Sequence, residues 1–477
     1  MHRTRSLKTL AAGIFLSALL VSALPRERSA RAQATGLTQQ RQLARDIFRE
    51  LVEINTTEPL GTAKAAGAMA ARLKAAGFAD SDVRVLGPNE RKQNMVARLR
   101  GRGAAKPLLL LAHLDVVEAR REDWTLDPFK FTEQDGYFYG RGTSDIKEEA
   151  ADLVSNMIRL KREGFVPDRD IILALTADEE GGDANGVDWL LKNQRDLIDA
   201  AYAINTDAGG GQIERGRHVR NAVQTGEKVY LSFTLEVKNK GGHSSLPTRD
   251  NAIYRLADGL ARLARFDFPV RLNDTTRAFF NRMAEGASGQ TASDMKASAR
   301  TPTDDAAAAR LSASSAYYNA LMRTTCVATE LQAGHAENAL PQTARATVNC
   351  RLLPEDSPDE VQRTLARVLD DPQIAIKQIA PAKPSPASPL TPELFEKVGR
   401  VTEEMWPGVY VVPVMETGAS DSVYLRAEGV PAYGISGMFF DVEDIRAHGR
   451  DERVGVREYF EGVEFMYRLL KALTSGR

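Results

Sequence analysis

Five side chains of the types that bind metal ions are spread along the chain, and several of them directly follow a short apolar run. They are His113, Asp145, Glu180, Asp207 and His448. Imidazole nitrogens and carboxylate oxygens are zinc ligands, and a catalytic zinc site keeps one position open for water. Two histidines and three carboxylates suit two divalent metals about 3.5–4 Å apart that share one carboxylate and one hydroxide. The residue types therefore predict a two-metal site.

Three continuous apolar runs must position these groups. Residues 107–112 lead into His113, residues 171–177 lead into the acidic run that contains Glu180, and residues 201–205 lead into the segment that contains Asp207. Continuous rather than alternating apolar strands indicate a parallel sheet that is covered on both faces. Ligands of such sheets bind at the carboxyl ends of the strands, so we expect these polar groups to meet there.

Two further carboxylates are placed to assist the metal ligands. Adjacent carboxylates beyond a strand end can point differently, so Glu179 can take a proton from a metal-bound water while Glu180 binds metal. Asp115 follows His113 by two residues, on the same side of an extended chain, and is placed to accept the second imidazole N–H. Each signal alone has a structural alternative, since single histidines and acidic turns are common, and the prediction depends on the joint pattern.

The N-terminal segment has the composition of a secretory signal peptide. Residues 1–8 are basic, residues 9–24 are apolar, and an A-x-A cleavage site follows at residues 30–32 or 32–34. The alternative is an uncleaved membrane anchor, but the apolar run is shorter than the ~20 residues that a spanning helix needs. We therefore expect residues 1–34 to be removed and the mature protein to be periplasmic or secreted.

The mature chain is expected to be mildly acidic. Removing residues 1–34 takes away six basic residues and one acidic residue, a net loss of five positive charges, which changes the net charge from −1 to −6. A negative chain is a poor binder of nucleic acid. No later segment is long and apolar enough to span a bilayer, so we expect no stable membrane span after cleavage.

The two cysteines, Cys326 and Cys350, are exported into a compartment where disulfides are allowed. The segments around them read as consecutive strands, and a hairpin centred near Asn338 would place the two cysteines opposite each other. The alternative is two small buried apolar side chains that never pair. The sequence leaves both possibilities open.

A chain of 477 residues is too long for one ordinary core and predicts two or three domains. Residues 35–226 and 386–477 are predicted to form the two parts of a catalytic domain. Residues 227–385 have the element order of a compact two-layer α/β unit inserted between them. Residues 272–320 are predicted to be a helical insertion with mobile parts. The proline-rich residues 379–393 mark the return connection.

An ordered set of motifs is similar to the dinuclear zinc peptidases related to glutamate carboxypeptidase, aminoacylase, carnosinase and yeast carboxypeptidase S, that is, peptidase family M20. The resemblance covers nearly the whole mature chain. The motifs are HLDVV (113–117), DPFKF followed by DGYFYGRGTSDIK (127–147), TADEEGG (176–182), DAGGG (207–211), GGHSSLP (241–247), NALP (338–341), CRLLP (350–354), TGASDS (417–422) and AHGRDERV (447–454).

The resemblance implies an α/β fold: a zinc-peptidase catalytic domain with a central mixed, mostly parallel sheet, and an inserted ferredoxin-like α/β lid and dimerisation domain. It also implies two Zn2+ per chain, with Co2+ or Mn2+ possible, since these metals accept similar ligands. His113 and Asp207 would hold one metal, Glu180 and His448 the other, and Asp145 would bridge them. The family also has a cis peptide bond after the bridging aspartate.

The resemblance further implies roles for residues around the metals. Glu179 matches the general base, and Asp115 matches the residue that orients His113. His243 matches a histidine that, in many dimeric members, reaches the partner's site and stabilises the oxyanion, so a homodimer is possible. The remaining matches line the substrate pocket. Asn338 and Arg351 match residues that hold the free carboxylate of the substrate, and Gly418 lies in the loop lining the same pocket.

One departure from the family pattern lies beside the bridging aspartate. The chain continues as DIKEEAA where relatives often have DDKG or DMKG, which places Glu148 near the site without a family role. We interpret Glu148 as a solvated residue at a helix start, where the helix dipole favours a negative charge.

Together, the residues and the resemblance predict an exported zinc-dependent metallopeptidase or amidohydrolase. It would cleave an amide bond of a peptide or N-acyl amino acid with a free carboxylate, by attack of a metal-bridging hydroxide. One alternative is an aminoacylase or N-acyl amino acid synthase/hydrolase. Another is a non-catalytic exported binding protein, which predicts a broken set of site residues. Both the base and the bridging carboxylate are present.

Overall fold

The computed structural model describes residue 36 and residues 38–475, so the signal peptide expected over residues 1–34 lies outside the described residues. The first helix is α1 (38–53). The other helices are α2 (Ala63–Ala75), α3 (Lys147–Arg162), α4 (Gly186–Asn193), α5 (Arg195–Ile198), α6 (Ala252–Leu263), α7 (Asp274–Gly286), α8 (Gly289–Ser298), α9 (Asp305–Ser314), α10 (Ala316–Met322), α11 (Pro358–Leu369), α12 (Pro392–Met405), α13 (Ser422–Ala427) and α14 (Val456–Thr474).

The strands follow the same numbering along the chain. They are β1 (Val83–Leu86), β2 (Asn94–Leu99), β3 (Ala105–His113), β4 (Thr132–Gln134), β5 (Tyr137–Tyr139), β6 (Arg169–Thr176), β7 (Tyr202–Asn205), β8 (Gly210–Glu214), β9 (Arg217–Glu227), β10 (Val229–Lys238), β11 (Gly242–His243), β12 (Thr325–Ala333), β13 (Ala339–Leu340), β14 (Thr343–Leu352), β15 (Ile374–Gln378), β16 (Tyr410–Glu416), β17 (Ala432–Gly434), β18 (Phe439–Asp441) and β19 (Arg453–Gly455).

The largest sheet in the described part of the chain has ten strands and is mixed. Its order is β1-β2-β6-β3-β7-β17-β9-β8-β18, with β16 paired to β9. The central strands β6, β3, β7 and β17 run parallel to one another, whereas β1, β2 and the β8–β9 hairpin add antiparallel pairs. The predicted α/β fold with a large mixed sheet is confirmed.

The central strand β3 shows why the apolar runs are continuous. Leu108 and Leu110 pack into one core with the helices α1, α2, α3, α12 and α14. Leu109 and Leu111 pack into a second core with α4, α5 and α13 on the other face. Alternate residues of a strand point to opposite faces, so a strand covered on both faces must be apolar throughout.

A smaller sheet is wholly antiparallel and has the order β12-β14-β10-β15. Along the chain its elements occur as β10, α6, β12, β14, α11 and β15, which is the ferredoxin-like arrangement. The two helices pack on one face of the sheet around Phe233, Leu256 and Leu365, all three buried. The helices α7–α10 interrupt this unit and pack instead on β16 of the large sheet, around Phe280 and Val412.

Cys326 and Cys350 form a disulfide between β12 and β14. The two residues lie directly opposite in the strand register, with their Cα atoms 4.1 Å apart. Opposed residues of an antiparallel pair bring their side chains together. The predicted hairpin is therefore confirmed, and of the two possibilities left open by the sequence the structure shows the disulfide.

A buried ion pair ties three elements beside the central strands. Arg426 of α13 places Nη1 2.8 Å from Glu227 Oε1 at the end of β9, and both side chains are 1% exposed. Its Nη2 donates to Gln224 Oε1 at 2.9 Å and to the carbonyl oxygen of Ala432, in β17, at 2.8 Å. Removing one partner of such a pair leaves a buried charge uncompensated.

We expect Glu227→Ala to lower the free energy of unfolding by about 3–5 kcal/mol, because Arg426 stays buried without its partner. The control is Glu428→Ala, which removes an exposed ion pair with Arg195, and should cost at most about 1 kcal/mol. Urea unfolding followed by circular dichroism checks both. Equal effects of the two substitutions would contradict this account of the buried pair.

Candidate metal centre

Three parallel strands deliver polar groups to one edge of the large sheet. His113 is the last residue of β3, the acidic run that contains Glu180 follows the end of β6, and Asp207 lies two residues beyond β7. Because parallel neighbours end on the same side, these groups meet at the carboxyl edge. Asp145 comes from the segment before α3, and the peptide bond from Asp145 to Ile146 is cis, as the resemblance implies.

The first cluster joins His113, Asp145 and Asp207. His113 Nε2 lies 3.1 Å from Asp145 Oδ1 and 3.7 Å from Asp207 Oδ1. The histidine is 2% exposed, so its ring is fixed by the surrounding core. One potential ligand atom from each residue lies within 4.8 Å of the others, which is close enough for all three to bind one ion.

The second cluster joins Asp145, Glu180 and His448. His448 Nε2 lies 3.1 Å from Asp145 Oδ2 and 2.9 Å from the Glu180 carboxylate. His448 is in the loop between β18 and β19, and its side chain is 53% exposed. The two clusters thus use different oxygens of Asp145, the arrangement expected of a carboxylate shared by two metals.

Asp115 organises the site differently from the sequence prediction. His113 Nδ1 lies 3.0 Å from the backbone carbonyl oxygen of Asp115 and 3.8 Å from its carboxylate. A donor Nδ1–H leaves Nε2 with its lone pair facing Asp145 and Asp207. The Asp115 carboxylate accepts the backbone N–H groups of Glu179 at 3.2 Å and Glu180 at 3.0 Å. Asp115 therefore orients both His113 and the loop after β6 that contains Glu179 and Glu180, called the acidic loop below.

Glu179 and Glu180 leave the tight turn that begins at Asp178, which has a φ of +58°. Lys92 pairs with the Asp178 carboxylate, and both side chains are 1% exposed. Within the described residues, the Glu179 carboxylate makes no hydrogen bond or ion pair. Adjacent residues of one turn therefore point differently: Glu180 contacts His448, and Glu179 remains available for proton transfer.

The carboxylates of the site are crowded and largely buried, and both conditions shift their pKa values. Burial raises the pKa of Glu179 to about 10, and repulsion from Asp207 adds to the rise. Burial also raises the pKa of Glu180 to about 7, together with repulsion from Asp145. At Asp145, burial is outweighed by hydrogen bonds with His113 and His448, which hold its pKa below the usual range.

Glu148 is not a solvated residue, so that interpretation is wrong. Glu148, Glu149 and Asp152 lie on α3 and are each at most 1% exposed. Burial raises the pKa of all three carboxyls. Glu149 accepts a hydrogen bond from the Ser436 hydroxyl, and Asp152 accepts one from Asn156 at 2.5 Å. The helix start is covered by the core because α3 packs against the central strands β3 and β6 and against α14, which a charge pattern alone does not reveal.

Two supporting groups were missed at the sequence level, although both lie in quoted motifs. Asp421 is 3% exposed and accepts hydrogen bonds from Asn185 Nδ2 at 2.6 Å and the Thr176 hydroxyl at 3.1 Å. These bonds connect the acidic loop to the start of α13. Glu452 is fully buried, pairs with Arg141 at 2.5 Å, and accepts backbone N–H groups just before Asp145.

A cavity of 470 Å³ opens beside the acidic loop. Glu179 and Glu180 line one side, and Arg351 of β14 lines it from the smaller sheet. The guanidinium carbon of Arg351 lies 4.6 Å from the ring centroid of Tyr230. Gly418 belongs to the loop whose next residues, 419–421, also line the cavity. Arg351 and this loop are thus close to the acidic groups, where a substrate would reach both.

His243 and Asn338 lie elsewhere in the described structure. His243 is exposed on β11, which pairs with β13 in a two-stranded sheet, and its Nδ1 contacts the Ser245 hydroxyl at 2.7 Å. The Asn338 carbonyl oxygen accepts the backbone N–H of Ser244 at 3.0 Å. The two residues are therefore neighbours, and neither is among the residues that line the 470 Å³ cavity.

The donor set of the two clusters fits divalent metal ions. Each cluster offers one imidazole nitrogen and two carboxylates, a set that zinc, cobalt and manganese all accept. Burial, with repulsion from neighbouring carboxylates, raises the pKa of Glu179 and Glu180, and bound cations would offset that repulsion.

The chain is similar in sequence to named proteins of two kinds. The sequence is 27% identical to N-fatty-acyl-amino acid synthase/hydrolase PM20D1 of Homo sapiens over 377 residues, which are 77% of this chain and 74% of that protein. It is 28% identical to the probable carboxypeptidase S-like 2 of Dictyostelium discoideum over 383 residues, 77% of this chain and 71% of that protein.

The fold is similar to that of the M20 family metallo-carboxypeptidase Sso-CP2 of Sulfolobus solfataricus. The TM-score is 0.67 at 17% identity, and the match covers 90% of this chain and 98% of that chain. The sequence model of peptidase family M20/M25/M40 matches residues 109–472, and this range includes all five proposed metal ligands. The chain therefore belongs to peptidase family M20/M25/M40.

Proposed function

We propose that the protein is an exported, two-metal amidohydrolase, with zinc as the metal, that cleaves an amide bond of a peptide or N-acyl amino acid with a free carboxylate. One observation carries the proposal: two histidine and carboxylate clusters share Asp145, and the uncommitted Glu179 carboxylate stands beside them on an open cavity. Relatives named as carboxypeptidases and as N-acyl amino acid synthase/hydrolases support this chemistry.

The site residues have separate roles in the proposed hydrolysis. Two divalent cations held by His113, Asp207, Asp145, Glu180 and His448 would supply Lewis acidity to the scissile carbonyl and acidify the attacking water. Glu179 takes the proton of that water on a carboxylate oxygen and then delivers it to the nitrogen of the leaving amine. Asp115 keeps Glu179 in position through the backbone N–H bond at 3.2 Å.

Arg351 is the proposed anchor for the free carboxylate of the substrate. Its planar guanidinium can donate two parallel hydrogen bonds to a carboxylate, a geometry that a lysine cannot reproduce. Packing against Tyr230 holds the guanidinium in the cavity wall. Asn338 and His243, which the family resemblance assigns to carboxylate binding and to oxyanion stabilisation, would reach substrate from a partner subunit, in keeping with the exposed position of His243.

The disulfide supports the proposal of a periplasmic or secreted location, because structural disulfides persist in oxidising compartments. Among the described residues, no helix is long and apolar enough to cross a membrane. Export itself depends on residues 1–34.

An N-acyl amino acid synthase/hydrolase is the second candidate. It uses the same site residues with an acyl group in place of the N-terminal part of a peptide, and the similarity to the human protein of that name favours it. Hydrolysis of matched dipeptides and N-acyl amino acids would separate the two. The presence of both Glu179 and Asp145 in a family of enzymes argues against a non-catalytic binding protein.

Substitutions of the two adjacent glutamates should have different effects. We expect Glu179→Gln to keep its bound metal and to lose about 10²–10⁴-fold in kcat, because proton transfer is removed. Glu180→Gln should lose metal, because its contact with His448 places it in the second cluster. Metal content by mass spectrometry and turnover of a dipeptide and N-acyl amino acid panel check both. Wild-type turnover in Glu179→Gln would remove it as the base.

Metal uptake should release protons. The hydrogen bond with Asp145 raises the pKa of His448 to about 9, so the metal-free protein carries a proton on this imidazole at pH 7. Histidine binds a metal only as neutral imidazole, so metal binding displaces this proton. Metal affinity should therefore fall about tenfold for each unit by which the pH is lowered, for each proton displaced. Calorimetry in buffers of different ionisation enthalpy measures the release.

The control for the proton release is His448→Ala, which should release fewer protons and bind less metal. Zinc binding at pH 7 without proton release, or with an affinity independent of pH between 6 and 8, would contradict the assignment of His448 as a ligand.

A further inference from the structure

The cavity beside Glu179 contains two cationic side chains whose charged groups contact neither a carboxylate nor a backbone carbonyl oxygen among the described residues. They are Arg351 and Lys383, and both line the cavity. Every carboxylate of the lining already has a role: Asp178 pairs with Lys92, Glu180 contacts His448, Asp421 bonds Asn185 and Thr176, and Glu179 is the proposed base. Arg351 and Lys383 are therefore not held by any of these four carboxylates.

A third basic side chain of the lining, Lys228, also lacks a carboxylate partner, but backbone carbonyl oxygens accept hydrogen bonds from its amino group. Its side chain is 1% exposed, and its Nζ donates to the carbonyl oxygens of Ala320 at 2.8 Å and Arg323 at 2.7 Å. Its donors are thus used within the protein. Arg351, by contrast, stacks on the face of Tyr230, and its guanidinium makes no hydrogen bond or ion pair among the described residues, so its N–H groups are available to a ligand.

Lys383 is presented by the proline-rich return connection, to which the proposed function gives no role. It stands between Pro381 and Pro384, and proline both fixes its own φ and restricts the residue before it to extended backbone. Farther along, the backbone N–H of Ser388 donates to Thr225 at 2.7 Å and its hydroxyl donates to Ala432 at 2.8 Å. The connection is therefore anchored on the large sheet, and Lys383 has a defined position.

The ammonium group of Lys383 is also held by its neighbour. Its Nζ donates to the Tyr424 hydroxyl at 2.5 Å and lies 4.3 Å from the ring centroid. Tyr424 lies on α13 and lines the same cavity. Lys383 is exposed on its remaining sides, so its other N–H groups are available. The cavity thus has two pairs of a cation and a tyrosine. Arg351 and Tyr230 come from the smaller sheet, and Lys383 and Tyr424 come from the return connection and α13.

We propose that the cavity selects substrates with two carboxylates, in which Arg351 binds the free α-carboxylate and Lys383, with Tyr424, binds the second. This inference rests on the proposed function and narrows its substrate class. The second carboxylate is either the side chain of an acidic amino acid on the leaving half or a terminal carboxylate of the acyl half. A monoanionic substrate would leave one of the two cations without a counter-charge.

The test uses zinc-loaded, full-length mature protein and four substrates of similar size. N-acetyl-L-glutamate carries the second carboxylate on the amino acid, N-succinyl-L-alanine carries it on the acyl group, and N-acetyl-L-glutamine and N-butyryl-L-alanine are the matched monoanions. The variants are Lys383→Met, the charge-retaining Lys383→Arg, and the control Lys377→Met, an exposed lysine on β15 outside this cavity. Thermal unfolding midpoints check that the variants fold.

We expect kcat/KM of at least one dianion to exceed that of its matched monoanion by about 10–100-fold, the range expected for one hydrogen bond to a charged group. In Lys383→Met this ratio should fall about tenfold or more, mainly through KM, whereas Lys383→Arg retains most of it and Lys377→Met retains all of it. The dianion that is preferred identifies which half of the substrate Lys383 contacts.

Equal kcat/KM for each dianion and its monoanion, or a preference that survives in Lys383→Met, would overturn the inference and leave the proposed function standing. Failure to hydrolyse all four substrates and a dipeptide panel, with two metals bound, would overturn the proposed function and the inference with it.

Discussion

Repulsion among carboxylates at the carboxyl edge of the large sheet is the constraint on which the rest of the site depends. Asp145, Glu179, Glu180 and Asp207 come together from segments far apart in the sequence, and only two histidines lie among them. Burial and mutual repulsion raise the pKa of Glu179 and Glu180. Bound cations would offset this repulsion, which supports the proposed metal centre.

The surrounding structure holds these groups in place through buried polar contacts. Asp115 bonds two successive backbone N–H groups of the acidic loop, and Lys92 fixes the turn that begins the loop. Glu452 bonds the backbone just before Asp145 and pairs with Arg141. Each partner is charged and buried, so each is costly to leave unpaired, and together they reduce the freedom of the ligands before any metal binds.

The sequence predicted the parts of this site that depend on chain periodicity. Continuous apolar runs identified the central strands, and the position of His113 at a strand end followed directly. The spacing of Cys326 and Cys350 around a predicted turn also predicted that the two residues lie opposite each other, because the register of a hairpin is set locally. The ligands were identified by residue type and motif order, and the structure brings all five together.

Other features depend on tertiary packing and could not be predicted. The sequence around Glu148 is typical of a solvated helix start, but α3 packs against the central strands of the large sheet and Glu148 is buried. The contact of His113 with the backbone of Asp115, rather than its carboxylate, depends on how the acidic loop folds over the strand end. Lys383 is an ordinary exposed lysine in the sequence, and only the path of the return connection places it in the cavity.

The most direct test of the central claim is anomalous diffraction at the zinc edge from crystals of the zinc-loaded protein. The account predicts two peaks about 3.5–4 Å apart, one beside His113 and Asp207, the other beside Glu180 and His448, with Asp145 between them. A single peak, or peaks that do not share Asp145, would contradict it.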